Sequence, residues 1–193
     1  TTRDFFFLPA KSPEQVAATI VGLCTTRLPQ RMHIPAEQIQ VLSPTKKGPA
    51  GTAALNVQLQ QQLNPPAPGK KEKAYGQTVF REGDRVMQVR NNYDLLWTKT
   101  DGSAVGTGIF NGDVGTIRSI DLQQEVMTVV FDDREAEYDF TLLNELELAY
   151  AITVHKSQGS EYRAVVLSAW NGSAYLLNRR VLYTAITRAR ELL

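Results

Sequence analysis

The sequence predicts an α/β domain interrupted by a small all-β insertion, and three observations lead to that prediction. Two apolar runs, residues 148–154 and 164–167, flank a polar turn and have the continuous Ala/Ile/Val/Leu composition of buried strands in an α/β sheet. Two amphipathic helical patterns precede them in the first third of the chain. Between these parts lie only short alternating segments and turns. We therefore assign residues 1–77 and 147–193 to the α/β domain and residues 78–146 to the insertion.

The composition is that of an ordinary globular protein, with 42% hydrophobic and 21% charged residues. The net charge of +1 gives no global attraction to nucleic acid, so any such site must come from a local arrangement. The single cysteine, Cys24, excludes an internal disulfide and indicates a reducing compartment, and we predict a cytoplasmic protein with Cys24 in its core. No apolar run approaches the roughly 20 residues of a membrane span, and we expect no membrane partner. We expect the chain to be part of a longer protein.

The first third of the chain predicts, in order, a strand at residues 4–8, a helix from Pro13 to before Pro29, a strand at 39–42 and a helix at 52–63. Ser12 is placed to cap the first helix, with Pro13 at its first position. A donor-rich loop, residues 43–48 (SPTKKG), joins the second strand to the second helix. The proline-rich and basic residues 64–73 are interpreted as a solvated break.

The insertion has short strand patterns at residues 85–89, 116–120, 126–131 and 135–140. Several short strands at close spacing favour a small barrel or sandwich. Residues 97–108 are predicted to form a long polar loop. Asn92 and Tyr93 could stack on or hydrogen-bond a nucleic-acid base, or could simply form a turn at the edge of the insertion.

The turn that follows the apolar run at 148–154 is rich in reactive groups. It presents a hydroxyl, an ammonium, an amide, a glycine and a carboxylate. Ligands of open α/β sheets bind beyond the carboxyl ends of the strands, so this turn is a candidate nucleotide or nucleic-acid site, or else a polar surface turn. Residues 171–178 are then predicted to form a connection and residues 179–192 a helix with Arg188 and Arg190 on opposite flanks.

Four blocks of the sequence resemble one protein family. LAYAITVHKSQGSEY (148–162) and NRRVLYTAITRAR (178–190) resemble motifs V and VI of superfamily 1 helicases. They are most similar to the RecD-like group, the exonuclease V alpha-subunit type, which moves 5′→3′ on single-stranded DNA. QVLSPTKKGPAGTAALNVQLQQQLNP (40–65) resembles its motif IV region, and GDRVMQVRNNY (83–93) with FNGDVGTI (110–117) resembles its SH3-like insertion. The resemblance implies a RecA-like, P-loop NTPase-type second motor domain with an inserted SH3-like β-barrel.

The chain lacks two motifs that such a helicase requires. There is no G-x-x-x-x-G-K-[ST] P-loop, since Gly69-Lys70-Lys71 has neither the leading glycine nor the hydroxyl. The VVFDD run at 129–133 resembles the metal-holding acidic motif but lies in the insertion. The resemblance therefore implies that ATP and Mg²⁺ are held mainly by a separate P-loop motor domain of the same protein. We expect this fragment alone to bind neither and to be inactive as an ATPase, and we predict no metal ligands.

The resemblance assigns roles on the nucleotide side. Arg188 matches the arginine finger of motif VI, which stabilises charge on the transferring phosphoryl group; a surface arginine is the alternative. Gln158, Gly159 and Glu161 match the motif V positions that face the nucleotide. Gly159 permits close approach of the backbone, and Glu161 could accept a hydrogen bond from a ribose hydroxyl or be a solvated carboxylate.

On the nucleic-acid side, hydroxyls, cations and amides hold single-stranded DNA through its phosphates and bases. The candidates are Ser43, Thr45, Lys46, Thr153, His155 and Lys156, together with Asn92 and Tyr93 of the insertion. His155 could instead be a neutral residue with a structural hydrogen bond.

The predicted function is that of the C-terminal motor domain of an ATP-dependent 5′→3′ DNA helicase. Its predicted partners are single-stranded DNA and the P-loop motor domain. The resemblance leaves open whether the protein acts alone or with nuclease subunits of a recombination complex. Two alternatives are a nucleic-acid or protein binding module that uses the SH3-like insertion, and a motor domain of a relaxase or RNA helicase.

Overall fold

The computed structural model describes residues 4–170 and 178–193, and the chain divides into two units. The split unit consists of Thr1–Leu63 and Tyr150–Leu193, and the inserted unit consists of Asn64–Ala149. We predicted an insertion over residues 78–146. The difference at its start arises because Glu72–Tyr75 pairs with Thr78–Arg81 as an antiparallel hairpin, and because Asn64 is hydrogen-bonded to Arg81 and Asp84. The proline-rich break thus leads into a strand that belongs with the insertion.

The chain begins its regular structure with one helical run in three segments, namely helix α1 (Pro13–Gly22), a π-helical turn (Leu23–Arg27) and helix α2 (Leu28–Met32). The Ser12 hydroxyl accepts a hydrogen bond from the Gln15 N–H at 3.1 Å, which confirms the predicted cap. The predicted end before Pro29 is wrong, because Pro29 lies in the first turn of α2, where proline is tolerated. Cys24 is buried in the π-helical turn, and burial raises the pKa of its thiol to about 12.

A short 3₁₀ turn (Ala36–Gln38), strand β1 (Ile39–Ser43) and helix α3 (Thr52–Leu63) follow, and the predicted strand and helix are confirmed. The strand predicted at residues 4–8 is wrong. Its backbone makes two hydrogen bonds with the end of the chain, Phe6 N–H to Leu193 O and Leu193 N–H to Asp4 O, both 2.9 Å. The segment forms no regular strand, and the side chains of Phe5, Phe6, Phe7 and Leu8 are exposed.

The inserted unit contains strands β2 (Glu72–Tyr75), β3 (Thr78–Arg81), β4 (Arg85–Gln88), β5 (Asn92–Lys99), β6 (Val105–Ile109), β7 (Val114–Asp121), β8 (Val126–Phe131), β9 (Arg134–Asp139) and, after a 3₁₀ turn (Phe140–Glu145), β10 (Leu146–Leu148). Seven of them form one antiparallel sheet in the order β10-β4-β7-β8-β9-β5-β6, while β2 and β3 pair separately. Large side chains such as Phe80, Phe131 and Tyr138 fill its core. The predicted SH3-like all-β insertion is confirmed.

The long loop predicted at residues 97–108 is wrong, because β5 and β6 form a hairpin there. Trp97 lies opposite Gly106 across the two strands. A Cβ atom at position 106 would lie 2.3 Å from Cζ2 of Trp97, so the glycine makes room for the indole ring. β6 was missed because its sequence is polar and rich in glycine. The apolar surface beside Gly106 is provided by Trp97 of β5.

The split unit continues with strand β11 (Ala151–Thr153), a 3₁₀ turn (Val154–Ser157), strand β12 (Tyr162–Leu167), helix α4 (Arg179–Ile186) and strand β13 (Ala189–Leu192). Its sheet is parallel, in the order β11-β1-β12-β13. The connection predicted at residues 171–178 lies outside the described residues except for Asn178, whose side chain caps α4.

Two predictions for this part of the chain need correction. The apolar run at 148–154 is not one strand, since Leu148 ends β10 of the inserted unit and β11 has only three residues. The helix predicted to residue 192 ends at Ile186, because residues 189–192 add a strand to β12. Hydrogen bonds to the sheet edge outweigh the helical spacing of the apolar residues there. Among the described helices, none has the length and apolar content needed to cross a bilayer.

Candidate nucleotide and nucleic-acid site

The polar segment 154–161 runs from the carboxyl ends of the parallel strands, here called the carboxyl edge of the sheet, to their amino ends, the amino edge. β11 ends at Thr153 and β12 begins at Tyr162, and both strands are parallel to β1, which lies between them. The segment must therefore return from the carboxyl edge of the sheet to its amino edge, a distance of about 15 Å for strands of this length. Its two ends face different edges, so they can serve different ligands.

The carboxyl edge brings together those residues of the split unit that we predicted to contact single-stranded DNA. Ser43, the last residue of β1, is in register with Thr153, the last residue of β11. The two residues are followed by Thr45 and Lys46 in one loop and by His155 and Lys156 in the 3₁₀ turn. His155 and Lys46 are exposed, and the other members of this set apart from Ser43 are partly exposed.

Ser43 is placed differently from the rest of that set. Its side chain is fully buried, and its hydroxyl donates to Ala50 O at 3.0 Å. Ser168, which sequence reasoning missed, is also buried and donates to the same carbonyl at 3.0 Å. Ser43 thus holds the loop that follows β1 and does not present its hydroxyl to a ligand. The only sequence signal for Ser168 is a serine directly after an apolar strand.

Gly51 closes this loop against its own backbone. A Cβ atom there would lie 2.3 Å from Lys47 O and 2.7 Å from Lys46 O. The Thr52 N–H to Thr45 O bond of 3.0 Å also belongs to this turn. The start of α3 is therefore folded onto the loop that carries Thr45 and Lys46.

We expect Gly51→Ala to destabilise the chain by about 1–3 kcal/mol, because the added methyl group must displace backbone atoms. Urea denaturation measures this free energy of unfolding. Gly22→Ala is the matched control, since Gly22 has helical dihedral angles and a Cβ atom there meets no atom within 4 Å. The control should be neutral or slightly stabilising, and equal effects of the two substitutions would contradict the close approach at Gly51.

At the amino edge, the segment ends in an open turn. Gly159 has a φ of +83°, a conformation that favours glycine, and a Cβ atom there would meet nothing within 4 Å. Gln158 and Gly159 are exposed. Glu161 lies 3.9 Å from the Arg190 guanidinium, and both side chains are about two-thirds exposed, at 66% and 69%. The surface of the turn is accessible to a ligand.

Arg188 lies against this turn. It is placed between α4 and β13, and not on a helix flank as predicted. Its carbonyl accepts from the Tyr162 N–H at 2.8 Å, and its Nη1 donates to Ser160 O at 3.1 Å. Its Nη2 donates to the Thr187 hydroxyl at 3.3 Å, while the buried Nε has no hydrogen-bond partner among the described residues. The structure thus brings Arg188 together with the segment that carries Gln158, Gly159 and Glu161.

Within the inserted unit, Asn92 and Tyr93 have different surroundings. The Asn92 amide donates to the Glu145 carboxylate at 2.9 Å, and its Oδ1 accepts from the N–H groups of Asp94 and Leu95. Asn92 therefore shapes the start of β5. Tyr93 is 67% exposed and packs edge-on against Phe110, with 5.5 Å between the ring centres. Sequence reasoning missed Phe110, which directly precedes the Asn-Gly turn.

No group of three or more histidine, cysteine or carboxylate side chains that could hold a metal ion occurs within residues 4–170 and 178–193. The polar groups described at the two sheet edges are hydroxyls, amides and cations, with one carboxylate, Glu161. Such groups recognise phosphates and sugars through hydrogen bonds and charge.

Two family models match the chain. Residues 55–131 match the ATP-dependent RecD-like DNA helicase SH3 domain, and residues 148–193 match the UvrD-like helicase C-terminal domain. The second match contains the segment 154–161 and Arg188.

Similar proteins include the ATP-dependent RecD2 DNA helicase of Deinococcus radiodurans, 37% identical over 79% of this chain and 19% of that protein. The RecBCD enzyme subunit RecD of Buchnera aphidicola is 28% identical over 79% of this chain and 23% of its own length. The chain thus spans about a fifth of the curated relatives it matches. Among solved structures, Bacteroides Pif1 bound to single-stranded DNA has a TM-score of 0.50 at 17% identity, covering 93% of this chain and 47% of Pif1, and shares its fold.

The RecA-like sheet and its SH3-like insertion fit these matches, and both of these relatives have RecD names. The chain belongs to the RecD-like helicases, and it carries their SH3 domain and a UvrD-like helicase C-terminal domain.

Proposed function

We propose that this chain is the second motor domain of an ATP-dependent 5′→3′ DNA helicase and supplies an arginine finger and part of the single-stranded DNA track. One observation carries the proposal. The segment 154–161 begins beside Thr153 at the carboxyl edge of the sheet and ends under the Arg188 guanidinium at the amino edge. This continuity supports a coupling in which a displacement at the nucleotide end reaches the end that contacts the DNA. One relative is named the ATP-dependent RecD2 DNA helicase, and this name supports the assignment of ATP and DNA as the two ligands.

On the nucleotide side, Arg188 fits an anionic ligand. Its side chain contacts a carbonyl and a hydroxyl within the described residues, and neither balances its charge. Its buried Nε lacks a partner, and the space above Gly159 is open. ATP, held with Mg²⁺ by the P-loop domain, supplies the phosphoryl group whose charge an arginine finger stabilises. Gln158 and Glu161 are exposed on the same turn and are assigned to nucleotide contacts.

On the strand side, Thr45, Lys46, Thr153, His155 and Lys156 are assigned to the phosphates and sugars of single-stranded DNA. They lie at one sheet edge in two adjacent loops, and hydroxyls and cations are the groups that hold a strand without reading its sequence. Ser43 is assigned a positioning role, because its hydroxyl holds the loop through Ala50.

The purified chain should not hydrolyse ATP, because its sequence has no P-loop to hold the phosphates. Phosphate release measured with and without single-stranded DNA tests this, and the full-length protein is the positive control. DNA-stimulated turnover by the 193-residue chain itself would contradict the assignment of the phosphate and metal ligands to another domain.

A second candidate function is binding through the inserted unit, and the exposed pair of Tyr93 and Phe110 favours it. Exposed aromatic side chains stack on bases or bind apolar protein segments. Binding driven by phosphates weakens steeply as salt rises, whereas binding through apolar contacts does not. A salt titration of Tyr93→Ala and wild-type chains therefore separates a strand-binding role of this pair from a protein-binding role.

A further inference from the structure

A cavity of about 330 Å³ opens at the carboxyl edge of the parallel sheet, beside the loop that follows β1. Its walls include Trp170, Thr45, Lys47 and the rings of Pro44 and Pro49. The volume lies at the lower end of the roughly 300–1,000 Å³ typical of small-ligand pockets. A cavity of this size suits one flat ring system and is small for a peptide helix.

The floor of this cavity is fixed by hydrogen bonds from two strand ends. Ser43 is the last residue of β1 and Ser168 directly follows β12, and both buried hydroxyls donate to Ala50 O at 3.0 Å. The loop is further restrained by the N–H of Lys47, which donates to the Thr45 hydroxyl at 3.2 Å. Because proline rings and internal hydrogen bonds already order this wall, a ligand loses little free energy in organising it.

The charge around the cavity favours an anionic chain. Lys47 lines the cavity, and Lys46 is exposed next to it in the same loop. The loop sequence SPTKKGPAG from residue 43 to 51 contains no carboxylate. Among the described residues that line the cavity, none is acidic. Ser43 is also in register with Thr153, so the cavity adjoins the edge assigned above to the DNA strand.

We propose that this cavity receives one base of the bound single strand, which stacks on Trp170 while Lys46 and Lys47 attract the neighbouring phosphates. The inference rests on the proposed function, because it takes the strand to pass along this edge. Stacking on an aromatic side chain tolerates any base, so the pocket adds affinity without sequence preference. The base anchors the strand to the same loop that Ser43 and Ser168 hold.

The test compares two probes on the 193-residue chain: a short fluorescent oligodeoxythymidylate and a strand of equal length made of abasic deoxyribose phosphate. Wild-type chain should bind the base-bearing strand at least about fivefold more tightly than the abasic strand, as expected for the loss of a stacked base. Trp170→Ala should remove this difference by weakening only the base-bearing complex. Trp170→Phe, which keeps an aromatic ring, should retain most of it.

A second readout does not depend on truncating Trp170. Trp97 and Trp170 are the two tryptophans of the chain, so Trp97→Phe leaves Trp170 as the sole indole emitter. Its fluorescence should be quenched to saturation by the base-bearing strand and not by the abasic one. Lys47→Ala is the matched control on the cavity wall. It should lower the affinity for the base-bearing and the abasic strand by the same factor.

The outcomes distinguish this proposal from the proposed function. If the chain binds both strands equally and Trp170→Ala changes neither, the base pocket is wrong while strand binding stands. If Trp170→Ala lowers the affinity for both strands by the same factor, Trp170 only supports the loop and no base binds in the cavity. If the wild-type chain binds neither strand, the strand-contacting role of this edge fails as well.

Discussion

Replacing Arg188 with alanine in the full-length protein is expected to reduce DNA-stimulated ATP hydrolysis by roughly a thousandfold or more, the loss typical of a removed arginine finger. The expectation rests on the position of the guanidinium, which lies on the turn at Ser160 with Nε buried and without a partner among the described residues. Steady-state phosphate release at saturating single-stranded DNA measures the effect. Affinity for the strand, measured by anisotropy, should change little, because the strand-contacting residues lie at the other sheet edge.

Arg190→Ala is the matched control. Arg190 is two residues further along the chain and 69% exposed, and its pair with Glu161 spans 3.9 Å. An exposed pair of this kind contributes less than about 1 kcal/mol, so the stability of the chain should be nearly unchanged. Turnover by Arg190→Ala should stay within a small factor of wild type, whereas a loss equal to that of Arg188→Ala would remove the distinction between the two arginines.

Arg188→Lys separates charge from geometry. Lysine keeps the positive charge but lacks the planar group with several fixed N–H donors. We expect its turnover to be close to that of Arg188→Ala. The substitution to alanine also removes the Ser160 hydrogen bond, which contributes about 1 kcal/mol to stability. Thermal unfolding of each variant separates this effect from catalysis, and a folded Arg188→Ala protein with turnover within tenfold of wild type would contradict the assignment.

The elements that sequence reasoning predicted well are those whose local signals and pairings agree. β1, α3 and β8 have continuous or periodic apolar side chains bounded by turn residues, and the structure has them at nearly the predicted positions. Four strands of the inserted unit, β4, β7, β8 and β9, were likewise predicted, whereas β5 and β6 were missed. Family membership was predicted from the four motif blocks, because their residues are read directly from the sequence.

The failures arise where a distant partner decides the local conformation. Residues 189–192 continue the helical spacing of α4, but β12 offers them a parallel strand edge. Leu148 and Ala151 belong to one apolar run, yet they end in different sheets. Arg188 was thus predicted on the wrong element, and the structure places it beside the turn that carries Gln158, Gly159 and Glu161. The structural roles of Ser43 and Asn92 could not be read from residue type, because a hydroxyl or amide bonded within the fold and one free to bind a ligand look alike in sequence.

A side chain that no motif singles out should have the largest effect on stability. Asn56 of α3 is buried, and its amide forms two hydrogen bonds with one residue of β11. Its Nδ2 donates to Ala151 O at 2.9 Å, and its Oδ1 accepts from the Ala151 N–H at 2.8 Å. β11 is an edge strand of three residues that pairs with β1 on one side, so Asn56 replaces a neighbouring strand on the other.

We expect Asn56→Ala to lower the free energy of unfolding of the split unit by about 2–5 kcal/mol, because a buried N–H and a buried carbonyl each lose a partner at about 1–3 kcal/mol. Urea denaturation followed by the emission of Trp170, in a Trp97→Phe background, reports on this unit. Gln58→Ala on the exposed side of the same helix is the control and should change the stability by less than about 0.5 kcal/mol.

Asn56→Asp tests the geometry further, since the carboxylate can still accept from the Ala151 N–H but cannot donate to its carbonyl. Hydrogen exchange should therefore show faster exchange of the Ala151 amide in Asn56→Ala than in Asn56→Asp under conditions where both are folded. Because β11 leads directly into Thr153 and the segment 154–161, a loosened β11 should also weaken strand binding by the chain. If Asn56→Ala has wild-type stability and a wild-type rate of hydrogen exchange at Ala151, pairing with β1 alone holds β11 in place. Asn56 would then not support the segment 154–161.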